Sequence, residues 1–200
     1  MNRTLVLASN NSGKINEFTE MLHSVDWDIR PQSDWKLSDA DETGLTFVEN
    51  ALIKARHACL HTGLPAIADD SGLVVDALNG APGIYSSRYA GPNADEFAYT
   101  AKLLKEMEGV SEADRTARFV CVLVILRHAE DPMPLIAQAT WEGSILTERR
   151  GSGGFGYDPV FYSPEENCAA AELKPERKHA LSHRGKALRQ LMDRLKHHEL

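Results

Sequence analysis

Apolar and polar positions along this chain follow two periods, and the switches between them mark out strands and helices in alternation. Thr4 to Ala8 is a short aliphatic run that reads as a first strand. A helix follows from about Lys14, with Ile15, Phe18, Met21 and Leu22 recurring at spacings of three and four. A second helix begins at Thr46, where Thr46-Phe47-Val48-Glu49 fits a capping box: hydroxyl and carboxylate satisfy orphan amides reciprocally. Val48, Ala51, Leu52, Ala55 and Ala58 form its core stripe and leave Asn50, Lys54, His57 and His61 on a different face. Ile67 to Asp69 and Leu73 to Leu78 read as strands on either side of a turn at Asp69-Asp70-Ser71-Gly72. Asn93-Ala94-Asp95 opens a helix that runs to about Met107. Phe119 to Arg127 and Leu135 to Leu146 read as long strands in a hairpin around Asp131-Pro132, and a last helix covers roughly Arg184 to Lys196. With no repeat and no low-complexity linker, the alternation predicts one α/β domain over residues 1–200, in two lobes.

Composition narrows the class. Two hundred residues can bury a sizeable core, and 42% hydrophobic with 26% charged residues is ordinary for a soluble globular protein. No apolar run approaches the ~20 residues a membrane span needs, and the first residues pass too soon into polar sequence for a signal peptide. Cys59, Cys121 and Cys168 are odd in number and widely spaced, which fits free thiols in a reducing cytoplasm. A net charge of -7 argues against a non-specific nucleic-acid binder, yet leaves room for a local basic pocket around a polyanion.

Five stretches carry chemistry. Asp69 and Asp70 repel as neighbours, so the fold must supply a cation, a proton or strong donors; the plainer alternative is an Asx-turn closing a strand. Ser9-Asn10-Asn11-Ser12-Gly13-Lys14 lies between the first strand and the first helix, where free amides and the helix dipole favour an anion. It is not a P-loop, because Ala8 stands where the first glycine belongs and Ile15 replaces the Ser or Thr that holds magnesium; a plain capped turn is the alternative. Lys54, off the core stripe of its helix, reads by default as a solvated lysine; the acidic loop around Glu42 reads either as a solvated turn or as a carboxylate that joins Asp70 on a hard cation, and a magnesium ion on a triphosphate needs only one or two protein carboxylates. Gly151-Ser152-Gly153-Gly154-Phe155-Gly156-Tyr157-Asp158-Pro159 lets backbone approach a ligand closely and offers Phe155 and Tyr157 as flat faces for a base, unless the glycines only mark a structural loop. Lys178 with Ser182-His183-Arg184 groups donors suited to purine carbonyls or phosphates. His57 and His61, at i and i+4, lack the glutamate and the further ligands of a zinc site.

Taken together, these residues resemble the inosine triphosphatase family, in its bacterial dITP/XTP pyrophosphatase branch. The likeness covers nearly the whole chain: the Ser9 to Lys14 loop, Phe47 to Ala55, Ala68 to Leu73, Gly80 to Tyr89, Gly154 to Pro159 and Ser182 to Arg184, in that order. It implies an elongated mixed β-sheet flanked by helices, two lobes with a central nucleotide-binding cleft, and a cytoplasmic homodimer that binds neither nucleic acid nor membrane. The implied reaction cleaves dITP, ITP or XTP between the α- and β-phosphates, with Mg2+ as cofactor. Asp70 would then be the proton acceptor, with Asp70, Glu42 and Asp69 at the metal. Ser9, Asn10, Asn11, Ser12, Gly13, Lys14 and Lys54 would face the phosphates, Ser71 would also bind the substrate, Phe155, Gly156, Tyr157 and Asp158 would face the base, and Lys178, His183 and Arg184 its edge. A pyrimidine-directed Maf-like pyrophosphatase and a non-catalytic nucleotide sensor are the competing readings. The Ser182-His183-Arg184 stretch and the Phe155 loop disfavour the first, and the adjacent acids disfavour the second.

Overall fold

The computed structural model describes residues 3–22 and 27–195, without the side chains of residues 3, 12 and 20–22. The expected roles of the Ser12, Met21 and Leu22 side chains, and the helix end at Lys196, therefore lie outside the described residues. β1 (Arg3–Leu7) runs parallel to β2 (Trp27–Pro31), Leu5 opposite Ile29, and parallel to β3 (Ala66–Val75), Val6 opposite Ala66. α1 (Ser12–Leu22) connects β1 to β2, and α2 (Phe47–Thr62) precedes β3. After α3 (Glu96–Glu106) come β4 (Thr116–Leu126) and β5 (Leu135–Ile145). β6 (Phe161–Ser163) pairs antiparallel with β5, and β7 (Cys168–Ala169) antiparallel with β6. The strands form one mixed sheet in the order β2-β1-β3-β4-β5-β6-β7, and α4 (Pro175–Leu181) and α5 (His183–Leu195) complete an α/β fold.

Two compact units emerge, one from residues within Met1–Asp70, Cys121–Ala139 and Gly185–Leu200, the other from Ser71–Val120 and Thr140–Arg184. The first has a core of Leu5, Leu7, Phe18, Ile67, Leu123, Ile125 and Leu188, in which the strand residues recur every second position as one face of a sheet requires. The second is built on Leu73, Val75, Leu103, Met107 and an aromatic group in which Phe161 lies 4.5 Å from Phe119 and 5.2 Å from Trp141 between ring centroids. Its buried Arg115 donates to the carbonyl oxygens of Ile145 at 2.6 Å, Met107 at 2.8 Å and Leu146 at 2.8 Å. One guanidinium thereby satisfies backbone acceptors at the ends of α3 and β5.

Local structure follows the sequence closely at α2 and departs from it at β3. Thr46 caps α2 by accepting from Glu49 N, and Glu49 reaches back to accept from Leu45 N at 2.9 Å. Asn50, off the core stripe, is nonetheless fully buried, and its Oδ1 accepts from Gly44 N at 2.9 Å. The expected turn at Gly72 is absent: β3 continues unbroken through Asp69, Asp70, Ser71 and Gly72, and ends at Val75 rather than Leu78. Ladder pairing and burial on both sides keep that stretch extended, which overrides local turn chemistry. The turn between β4 and β5 is where the sequence puts it. Asp131 there accepts from Arg127 N at 3.0 Å, Arg127 Nη2 at 2.6 Å and Met133 N at 3.0 Å.

Candidate active site

β3 carries Asp69 and Asp70 at consecutive positions in mid-strand, and successive side chains of a strand point to opposite faces. Asp69 falls on the side of Ile67, where it is ion-paired with Lys14 of α1 and accepts from the Cys121 thiol at 3.2 Å. Asp70 falls on the other side. There Lys54 of α2 donates to Asp70 Oδ1 at 2.6 Å and to Glu42 Oε1 at 2.8 Å. The structure thus brings Asp70, Glu42 and Lys54 together, while Asp69, ion-paired with Lys14, stays close enough for its charge to act on Lys54 as well. Ser71, next along β3, is half-buried.

Burial opposes the Lys54 ammonium, but the Asp70, Glu42 and Asp69 carboxylates outweigh it and hold this lysine above its ordinary value. Burial also lifts the Asp70 carboxyl above the usual carboxylate range, against the attraction of Lys54. Asp70 Oδ2 is buried and accepts no hydrogen bond from the described residues. A buried carboxylate oxygen left in that state is costly unless a cation or a water reaches it. That donor set fits magnesium, a hard oxygen-seeking ion that takes one or two carboxylates from the protein and its other ligands from phosphates and water. Among the described residues no group of three or more His, Cys, Asp or Glu is gathered to hold an ion alone.

The segment expected to cradle phosphate is tied into the protein residue by residue. Asn11 Oδ1 accepts from Lys14 N at 3.0 Å and so caps α1, while Ser9 Oγ accepts from Asn11 N at 3.2 Å. Asn10 Nδ2 donates to Asp39 Oδ1 at 2.9 Å, and the same oxygen accepts from the buried Gln32 at 2.8 Å. Gly13 is half-buried beside them. The loop that carries Glu42 is therefore anchored at Asp39, at Ser38 by His57 (3.0 Å), and at Gly44 by Asn50. Sequence reasoning missed Asp39, Gln32 and Asn50. Only Gly44 left a trace: a Cβ there would stand 2.7 Å from Asn50 Oδ1.

In the second unit, Phe155 lies beneath two cations: Lys178 Nζ at 4.8 Å and the Arg184 guanidinium at 5.7 Å from its ring centroid. Lys178 and Asp158 are both buried and joined at 2.6 Å, and Asp158 also accepts from Phe155 N at 2.9 Å. His183 stacks on Phe119 with 4.8 Å between centroids and 13° between planes. Tyr157 donates through its hydroxyl to Ser86 O at 2.8 Å, and Gly156 N donates to Glu96 Oε2 at 2.9 Å. Phe155, Asp158, Lys178 and Arg184 are thus brought together, with His183 adjacent to Arg184 in the chain. The glycines answer mainly to the protein itself. A Cβ at Gly154 would meet Asp158 Oδ2 at 2.0 Å, and one at Gly153 the Ala171 carbonyl oxygen at 2.9 Å. Glu96 and Ser86, which hold the loop, carry no local signal in the sequence.

A lysine–carboxylate group borne on a central strand, with a separate group of cations around one aromatic ring, places the chain among mixed-sheet α/β proteins that bury charged side chains in pairs. Within that class, the chain belongs to the Ham1 family, whose pattern it matches over residues 5–194. It is 60% identical to the dITP/XTP pyrophosphatase of Idiomarina loihiensis, over 96% of this chain and 97% of that protein. To the dITP/XTP pyrophosphatase of Vibrio parahaemolyticus it is 58% identical, over 96% of each. The structure of a HAM1 protein from Coxiella burnetii matches with a TM-score of 0.92 at 50% identity, over 98% of this chain and 100% of that one. The Staphylococcus aureus Ham1 protein matches with a TM-score of 0.88 at 40% identity, again over 98% and 100%.

Proposed function

We propose that this chain hydrolyses non-standard purine nucleoside triphosphates (dITP, ITP and XTP) to the monophosphate and pyrophosphate, clearing them from the nucleotide pool. The observation that carries the reading is Asp70: buried, bonded to Lys54 through Oδ1, with Oδ2 accepting nothing from the described residues. Such a carboxylate is placed to take the proton of an attacking water through its second oxygen, and its raised affinity for a proton suits that task. Lys54 bridges Asp70 and Glu42 and brings positive charge to the point where phosphate charge must be met. Lys14, oriented by Asp69, adds a second ammonium with the Ser9 to Gly13 segment, and Ser71 lines the same strand. Magnesium, held by Asp70 and Glu42, would supply Lewis acidity to the water and charge neutralisation to the departing diphosphate.

Phe155 stacks on the base, with Gly156, Tyr157 and Asp158 shaping its loop. Lys178, His183 and Arg184 donate to the 6-oxo group. Adenine presents an amino donor to those donors and leaves them unpaired, which is the costly kind of mismatch. The same reading takes the chain as one two-lobed domain and as a cytoplasmic homodimer; its three free cysteines suit a reducing compartment. Among the described residues no helix is long and apolar enough to cross a membrane. The test is pyrophosphate release by the purified protein with magnesium, compared across dITP, XTP, dGTP, dATP and dTTP. Turnover of dITP and XTP well above the other three is expected. No pyrophosphate from dITP, or equal turnover of dTTP, overturns the assignment.

A further inference from the structure

The loop that carries Phe155 is rich in glycine, and three of its glycines hold a left-handed backbone: Gly151 at φ 77°, Gly154 at 70° and Gly156 at 68°. Glycine backbone has the most conformational freedom to lose, so a loop of this kind needs external fixing if its aromatic ring is to stay in one place. Asp158 fixes the Phe155 amide from within the loop. The next amide, Gly156 N, is held from outside by Glu96 Oε2 at 2.9 Å, across 60 residues of chain.

Glu96 is itself well placed to serve as an anchor. It opens α3, whose first turn is capped by Asp95 accepting from Ala98 N at 2.8 Å. Its carbonyl oxygen accepts from Thr100 Oγ1, which in turn accepts from Arg149. Tyr99, on the same turn, lays its ring against Tyr157 with 4.7 Å between centroids. The first turn of α3 thus grips the loop on both sides of Gly156, through a carboxylate at its amide and a ring at the residue that follows.

We propose that Glu96 is a positioning residue for the nucleobase: its carboxylate fixes the Gly156 amide and thereby the orientation in which Phe155 meets any purine triphosphate. The inference rests on the base-stacking reading above and adds to it a residue outside the loop. The needed property is an acceptor at that point rather than a negative charge, so glutamine can replace glutamate.

Steady-state kinetics on dITP and XTP, with thermal melting in parallel, test this on the full chain carrying Glu96→Ala, Glu96→Gln or Phe155→Ala. Glu96→Ala is expected to raise KM on the order of tenfold for both substrates, as loss of a charge-assisted bond does, with kcat within about twofold. Glu96→Gln should stay within about twofold of the parent in both constants. Three outcomes overturn the proposal while leaving the base-stacking reading intact, provided Phe155→Ala still raises KM. These are unchanged KM in Glu96→Ala with only a lower melting temperature, an effect on kcat alone, and an equal defect in Glu96→Gln. If Phe155→Ala leaves KM unchanged, the stacking reading fails and the inference falls with it.

Discussion

Asp70 and Asp131 are both buried carboxylates, and their surroundings push them in opposite directions. Asp70 has one strong partner, and burial wins, leaving it above the ordinary range. Asp70→Asn keeps the shape and removes the proposed proton acceptor. Turnover of dITP should fall on the order of 10²-fold or more while KM changes far less. Near-normal turnover in a pyrophosphate assay would remove Asp70 from the chemistry. Asp131 is held well below the ordinary range, first by the Arg127 guanidinium and then, against burial, by the amides of Arg127 and Met133. A carboxyl depressed in the folded state gives stability that is fully present above its unfolded value and is lost as pH falls through the folded one. Asp131→Asn is therefore expected to lower the melting temperature at neutral pH and to flatten its decline below about pH 4. An unchanged acid profile would show that this turn contributes nothing to acid sensitivity.

At the scale of elements, α2 was the most legible and β3 the least. The cap of α2 is built from local groups, so Thr46→Ala should cost about 1 kcal/mol in urea unfolding at unchanged m-value; a loss below about 0.3 kcal/mol would mean that solvent replaces the hydroxyl. The same locality explains why the Thr46 signature, the Asp95 cap of α3 and the Asp131 turn could be read from neighbouring residues. β3 could not. Its Asp-Ser-Gly reads locally as a turn, and only pairing within the sheet keeps it extended, which sends Asp69 and Asp70 to opposite faces. The candidate site follows the same rule. The sequence points to Asp70 with Glu42, to Lys54 by itself, and to Phe155, Lys178 and Arg184 at one end of a ligand, whereas the residues that hold them in place act across long sequence distances. Asn50 is buried against Gly44, and Glu96 holds Gly156 across 60 residues of chain, contacts that no neighbouring residue announces. Arg115 is buried among backbone carbonyls from distant elements. β2, β6, β7 and α4 are too short for a period to declare itself.

Taken whole, the protein carries its two charged groups on different units: Lys54, Asp70 and Glu42 on the first, Phe155, Lys178, His183 and Arg184 on the second. This division of labour makes a kinetic prediction that no single residue does. The triphosphate is common to all nucleotides, so Lys54→Ala should depress dITP, XTP and dATP by one shared factor. The ring of Phe155 has a face for every base, so Phe155→Ala should weaken all of them together, by roughly the ~1–3 kcal/mol of a base–aromatic stack. Arg184 is different, because its guanidinium lies over that same ring yet carries donors that can choose between a 6-oxo and a 6-amino group. Arg184→Ala should therefore lower kcat/KM on dITP while narrowing the gap between dITP and dATP. The competing role for Arg184 is contact with phosphate from the start of α5. In that case its loss would depress both nucleotides equally, and a dITP-to-dATP ratio unchanged by Arg184→Ala would end its role in reading the base while leaving the hydrolysis of the triphosphate untouched.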